Sequence, residues 1–195
     1  PYIAEMTNLD WLLLDLLANR AGLPLHRFLG ADRDWAAVYK GGGSVLLSDE
    51  ALIQDLQRFK DEGYQTTKFK IGGSGAGFSQ DIRRLEKARR ALGDDFGIAV
   101  DANQAWDAKT AFAFAKEAAP FGVAWLEEPV HAYDMDALRE LRDLLDNAGI
   151  VMEIAMGESV RSYHTHVAYA QHGVDHLQPA RLCCIAENMR VREYA

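Results

Sequence analysis

Two lysines and three carboxylates, each set in or just after a short apolar run, are the residues of this sequence best placed to do chemistry. Lys68 and Lys70 alternate with Phe69 in Thr67-Lys68-Phe69-Lys70-Ile71, so a strand there puts both amines on one face and the ring on the other. Asp101 closes Ala99-Val100-Asp101, Glu127 closes Trp125-Leu126-Glu127, and Glu158 follows Ala155-Met156-Gly157. Taken singly, each has a plain alternative: a solvated edge strand for the lysines, a rim position for Glu127, a helix cap for Asp101 and Glu158. Together they fit one site. Three converging oxygen donors suit a hard divalent cation, and Mg²⁺ would keep open positions for substrate oxygens. Gathering three negative charges without a cation is costly, so each carboxylate supports the metal reading of the others. A substrate carboxylate on that ion would have its enolate stabilised, and a lysine would take the α-proton. Like-charge repulsion between Lys68 and Lys70 is expected to lower both pKa values toward neutrality.

The elements that must position these residues follow a rhythm. A first strand is expected to begin at Ala37-Val38-Tyr39 and to be closed by Gly41-Gly42-Gly43-Ser44, and others are expected at Thr67–Ile71, Gly97–Asp101, Val123–Glu127, Val151–Met156 and Val174–Gln178. Helices are expected between and after them, near 48–62, 79–92, 109–119, 135–147 and 163–172, with a last one from about Ala186. An additional buried helix is expected over residues 8–19, with Leu9, Trp11, Leu12, Leu13, Leu14, Leu16 and Leu17 as its apolar residues and Asn8 or Asp10 able to cap it. The steps from Lys70 to Asp101, Glu127 and Glu158 are 31, 26 and 31 residues, each about one strand–helix unit. Alternation of this kind predicts an α/β fold with a parallel sheet. The polar residues end successive strands, which favours a TIM-like β/α barrel whose mouth gathers them over an open sheet with one switch point. No glycine-rich dinucleotide fingerprint is present: Gly72-Gly73-Ser74-Gly75-Ala76-Gly77 lacks the spacing.

Composition sets the outer limits. The 195 residues carry 29 acidic against 21 basic side chains, a balance that argues against nucleic-acid binding and offers no polybasic membrane patch. A hydrophobic fraction of 49% supplies a core, and no apolar run reaches membrane-spanning length. Cys183 and Cys184, adjacent and the only cysteines, suggest no disulfide framework, so a reducing, cytoplasmic setting is expected.

As an ordered set, Lys68-Phe69-Lys70, Asp101-Ala102-Asn103, Glu127-Glu128-Pro129, Gly157-Glu158-Ser159 and Val174-Asp175-His176-Leu177-Gln178-Pro179 resemble the mandelate racemase/muconate lactonising branch of the enolase superfamily. The resemblance runs from Leu12 to the C-terminus. It implies a modified eight-stranded barrel with an α+β capping domain, of which residues 1–34 would be the last helices and 35–195 about six βα units. It further implies Asp101, Glu127 and Glu158 as Mg²⁺ ligands, Lys70 as base, Lys68 as its tuning partner and Asn103 as a substrate contact. A glutamate after glycine as third ligand is closer to the mandelate racemase subgroup, which includes many acid-sugar dehydratases. Dehydration of a sugar acid by a homo-oligomer is therefore the expected activity. A racemase or epimerase using the same first step, or a non-catalytic relative, is the alternative.

The sequence departs from the family pattern in two places. After Gln178-Pro179 the usual aspartate is absent, Ala180 standing there, and Cys183-Cys184 replace two glycines. An aspartate–histidine pair therefore cannot be assigned, and His172 and His176 read as structural. Two strands and most of the cap are expected to lie outside this chain.

Overall fold

The computed structural model describes residues 2–73, 77–179 and 183–195. Ala180 lies outside them. The chain divides into two compact units: Pro1–Ala37 with Gly157–Val167 and Leu177–Ala195, and Val38–Met156 with Ala168–His176.

The second unit carries the sheet. Its strands are β1 (Lys40–Gly42), β2 (Thr66–Lys70), β3 (Gly97–Asp101), β4 (Val123–Glu127) and β5 (Ile154–Met156), and a short β6 (His176–Leu177) follows. The six strands lie side by side in chain order, and the pairs from β1 to β5 are parallel. Sequential order without reversal is the order of a barrel wall; a doubly wound sheet would turn back on itself.

Helices α3 (Asp49–Asp61), α4 (Ser79–Leu92), α5 (Ala108–Ala118) and α6 (Met135–Ala148) link the strands, and α7 (Tyr163–Gln171) precedes β6. Their starts are dictated locally: Ser48, Asp107 and Asp134 each accept a backbone N–H of the first turn. Each linking helix turns one apolar stripe inward, such as Leu52, Leu56 and Phe59 on α3 or Leu138, Leu141 and Leu145 on α6. The strands bury Phe69, Ile98, Val100, Leu126 and Ile154. Burying both faces of a parallel sheet in this way gathers charge toward the C-terminal strand ends, with Lys68, at the middle of β2, as the deeper exception.

β1 starts three residues later than the apolar pattern suggests. Val38 is 69% exposed, and the strand is built on Lys40, Gly41 and Gly42, which pair with Thr67, Lys68 and Phe69. Glycine is needed at position 42, where a Cβ would come within 2.8 Å of the Phe59 ring.

In the first unit, α1 (Tyr2–Arg20), α2 (Leu25–Phe28) and α8 (Ile185–Tyr194) are the helices complete within it. α1 begins well before Asn8 and Asp10, so neither caps it. Asp10 instead accepts the Ile185 N–H at 2.7 Å, at the start of α8. The expected burial of α1 is also reversed. Thr7 and Ala18 are buried, whereas Leu9, Leu12, Leu13, Leu16 and Leu17 are exposed. The leucines fall on the stripe opposite Thr7 and Ala18, and apolar spacing alone does not say which stripe is covered.

Candidate metal centre and lysine pair

Register sets the height of each charged group. Lys70 on β2 is level with Asp101 on β3, and Asp101 is level with Glu127 on β4. The second match depends on an irregularity. Ile98 pairs with Val123 but Val100 pairs with Leu126, so two steps on β3 span three on β4. An unbroken ladder would set Asp101 beside Leu126, whose side chain faces the helices; the bulge brings Glu127 level instead. Lys68 is level with Ala99 and therefore sits deeper than Lys70.

The result is a compact ionic cluster. Lys68 Nζ donates to Asp101 Oδ2 at 2.8 Å and to Glu127 Oε1 at 2.5 Å, and Lys70 Nζ reaches Asp101 Oδ2 at 2.5 Å. Asp101 Oδ1 accepts the Asn103 N–H at 2.9 Å, and Glu127 Oε2 accepts the Trp125 indole N–H at 3.3 Å. That last contact fits the alternation that puts Trp125 and Glu127 on one face. Asp101 and Glu127 are fully buried, the Lys68 side chain is 11% exposed and that of Lys70 is 35% exposed.

The electrostatics correct one expectation. Burial works against the Lys68 ammonium, but its hydrogen bonds to Asp101 and Glu127 outweigh burial and raise its pKa. Opposite charge at contact distance dominates the repulsion from Lys70. Asp101 shows the converse: burial would raise its pKa, yet the two lysines hold it below the ordinary range. The donor set, carboxylate oxygens in a buried pocket now neutralised by ammonium groups, is one that fits a hard cation.

Glu158 is half-buried and lies two residues beyond β5. Its strand is in register with the site, since Ala155 pairs with Glu127. Gly157, between strand and glutamate, has φ +137°, and a Cβ there would meet His166 Nε2 at 2.8 Å and Gln178 O at 2.9 Å. Only glycine turns the chain this way. Asn103 is exposed at φ +43° and is tied to Asp101 through its backbone N–H.

The sequence family described as Enolase C-terminal domain-like matches residues 51–195. The chain belongs to this family. It is 36% identical over 165 residues to the L-talarate/galactarate dehydratase of Salmonella typhimurium, an alignment that covers 84% of this chain and 40% of that protein. Among solved structures it superimposes on a racemase from Streptomyces coelicolor A3(2) with bound magnesium (TM-score 0.90, 26% identity, 99% of this chain and 53% of that one). It also superimposes on the L-talarate dehydratase of Polaromonas sp. JS666 complexed with Mg and L-glucarate (TM-score 0.84, 31% identity, 98% and 50%). The chain thus spans about half the length, or less, of these relatives, and its strands are part of a TIM-type barrel wall.

Around the family's departures the structure is informative. Cys183 is buried with its thiol against Val160 O at 3.6 Å, and burial, with Glu187 and Cys184 adding, pushes its pKa up to about 11. Both cysteines are free thiols. His172, one residue past α7, has its Nδ1 2.7 Å from Ala168 O of that helix, and His176 pairs with Glu153 at 2.6 Å. A polar link between Gln104 and Glu128, just beyond Asp101 and Glu127, was not signalled by any motif. Its trace in the sequence is only the choice of amide and acid where loops usually carry glycine.

Proposed function

We propose that this chain is the catalytic β/α portion of a Mg²⁺-dependent enzyme that removes the proton α to a carboxylate, most plainly an acid-sugar dehydratase. The ligand set is Asp101, Glu127 and Glu158, three oxygen donors from successive strand ends. Bound there, Mg²⁺ would supply positive charge for the substrate carboxylate and for the negative charge that develops as the α-proton leaves.

The observation that carries the reading is the depth difference between the lysines. Lys70 is level with Asp101 and one-third exposed, so its amine can meet a substrate at the mouth and act as the base. Lys68 is deeper, nearly covered and clamped between two carboxylates, which suits holding Asp101 and Glu127 apart. Asn103, exposed beside Asp101, is the substrate contact. Resemblance to a sugar-acid dehydratase over 84% of the chain supports the dehydration outcome.

Similarity to a magnesium-bound racemase favours a second reading, racemisation or epimerisation through the same first step. Product analysis separates them: loss of water against inversion alone. The free thiols support a reducing, cytoplasmic setting, and we take the working form to be a homo-oligomer.

The test is ²H uptake from D₂O into a panel of sugar acids, with and without Mg²⁺. Exchange should depend on Mg²⁺ and vanish in Lys70→Ala, which should still bind Mg²⁺. Exchange that survives Lys70→Ala puts the base elsewhere. A chain that binds Mg²⁺ yet exchanges with no sugar acid belongs to the non-catalytic reading.

A further inference from the structure

Asp101 and Glu127 are bridged on their inner side by Lys68, and a second, uncharged-donor bridge joins the same two strand ends on the outer side. Beyond Asp101 the chain turns through Asn103 at φ +43° and Gln104 at φ +66°; beyond Glu127 it turns at Glu128, φ +40°. Left-handed conformations at three non-glycine residues persist only where the surroundings hold them. What holds them is one connected network. The Gln104 N–H donates to Glu128 O at 2.7 Å, and the Gln104 side-chain amide donates to Glu128 Oε2 at 3.3 Å. Gln104 Oε1 in turn accepts the Ala132 N–H at 2.8 Å. The buried Tyr169 hydroxyl closes the network by donating to Ala132 O at 2.5 Å. Glu128 is wholly buried although it is a carboxylate.

We propose that Gln104 and Glu128 form a clasp that fixes the spacing of Asp101 and Glu127, making both positioning residues for the bound cation. This rests on the metal site proposed above. The reasoning turns on what must change when a dication arrives. Lys68 Nζ occupies the space between Asp101 Oδ2 and Glu127 Oε1, so the cation competes with the inner bridge for both carboxylates. The hydrogen bonds of the clasp run among Gln104, Glu128 and Ala132, so exchange at the inner bridge leaves them in place. The clasp carries the strand-end geometry from the metal-free to the metal-bound state. Outer partners of this kind are worth about ten- to a hundredfold in metal affinity.

The test is the Mg²⁺ affinity of the purified full chain by titration calorimetry, with thermal unfolding run in parallel. The panel is wild type, Glu127→Gln, Gln104→Ala, Glu128→Ala, Glu128→Gln and the Gln104→Ala/Glu128→Ala double variant. Glu128→Ala and Gln104→Ala should each weaken Mg²⁺ about tenfold or more. The double variant should be no weaker than either, because one clasp is lost once. Glu128→Gln can still accept from the Gln104 amide and should stay within about threefold of wild type, since the clasp needs an acceptor rather than a charge. Glu128→Gln falling as far as Glu128→Ala would overturn the proposal in favour of a charge effect. Unchanged affinity in Gln104→Ala, which is only half-buried and so able to fold, would overturn it outright. Wild type that fails to bind Mg²⁺, or Glu127→Gln that binds it normally, sinks the metal site itself and the clasp with it.

Discussion

Lys68→Met removes the ammonium that Asp101 and Glu127 share while keeping a side chain of similar length. Both carboxylates are buried, so in the metal-free protein they would face each other across a site without its central cation. Deleting one partner of a buried ion pair costs about 3–5 kcal/mol. Lys70 still holds Asp101 Oδ2 at 2.5 Å, and Trp125 still donates to Glu127, so the lower end of that range, about 3 kcal/mol, is expected. At about 2–4 °C per kcal/mol for a chain of this size, Tm should fall by about 6–12 °C. Mg²⁺ should then repair more in the variant than in wild type, because the cation no longer has to displace an ammonium. At about a hundred times Kd the gain is about 2.7 kcal/mol, nearly the whole deficit. The pH behaviour has a definite sign. The folded pKa of Lys68 lies above its ordinary 10.5, so its contribution is complete below 10.5 and is lost as pH rises through the folded value. Lys68→Met should lack that alkaline loss. The assay is thermal unfolding by circular dichroism with and without Mg²⁺, repeated across alkaline pH. A Tm within about 2 °C of wild type without Mg²⁺, and no larger response to the metal, would refute the view of Lys68 as a structural cation.

Two further outcomes are expected. Gly157→Ala must adopt φ +137° and push against His166 Nε2 and two Gln178 backbone atoms, which cannot rotate away. It should cost about 3 kcal/mol in thermal unfolding, and it should weaken Mg²⁺ binding in calorimetry because Glu158 is the next residue. Thiol titration at pH 8 should give one accessible group, Cys184, with Cys183 reacting only after denaturation. Burial and a pKa of about 11 both keep Cys183 from forming thiolate.

How much of this was legible in the sequence depends on what each feature is made of. Helix α4 falls on the expected 79–92 and strands β3 and β4 on the expected residues, because each has a clear apolar period. β1 was misplaced because Lys40-Gly41-Gly42 has no side-chain pattern; its register comes from backbone pairing with β2. The order Lys70, Asp101, Glu127, Glu158 could be read from spacing, but the level alignment of Asp101 with Glu127 could not. It rests on a one-residue bulge against β3 that leaves the composition of β4 unchanged. The Lys68 pKa went the other way from expectation for a related reason. Spacing brings the carboxylates of other strands to one site, but only register shows that two of them sit within hydrogen-bond reach of Lys68. Sequence neighbours are visible in one dimension, while the charges that dominate a site are set by register.

Charge bookkeeping explains why such a site can be built on a folding sheet at all. Asp101 and Glu127 meet Lys68 and Lys70, two carboxylates against two ammonium groups, so the buried cluster is balanced before any metal binds. A cluster of acids alone would resist burial and oppose closure of the strand ends. Adding a dication to a balanced cluster leaves an excess of positive charge at the mouth, and Glu158 offsets only part of it. That excess, one positive charge once Glu158 is counted, favours an anionic ligand, and a single carboxylate is enough to balance it. The lysine beside Asp101 gains from the same exchange. A cation held by the Asp101 carboxylate would weaken the contact that occupies Lys70 and free the amine at the mouth for a substrate. On the roles proposed for Asp101 and Lys70, metal binding and release of the base would be coupled through one carboxylate.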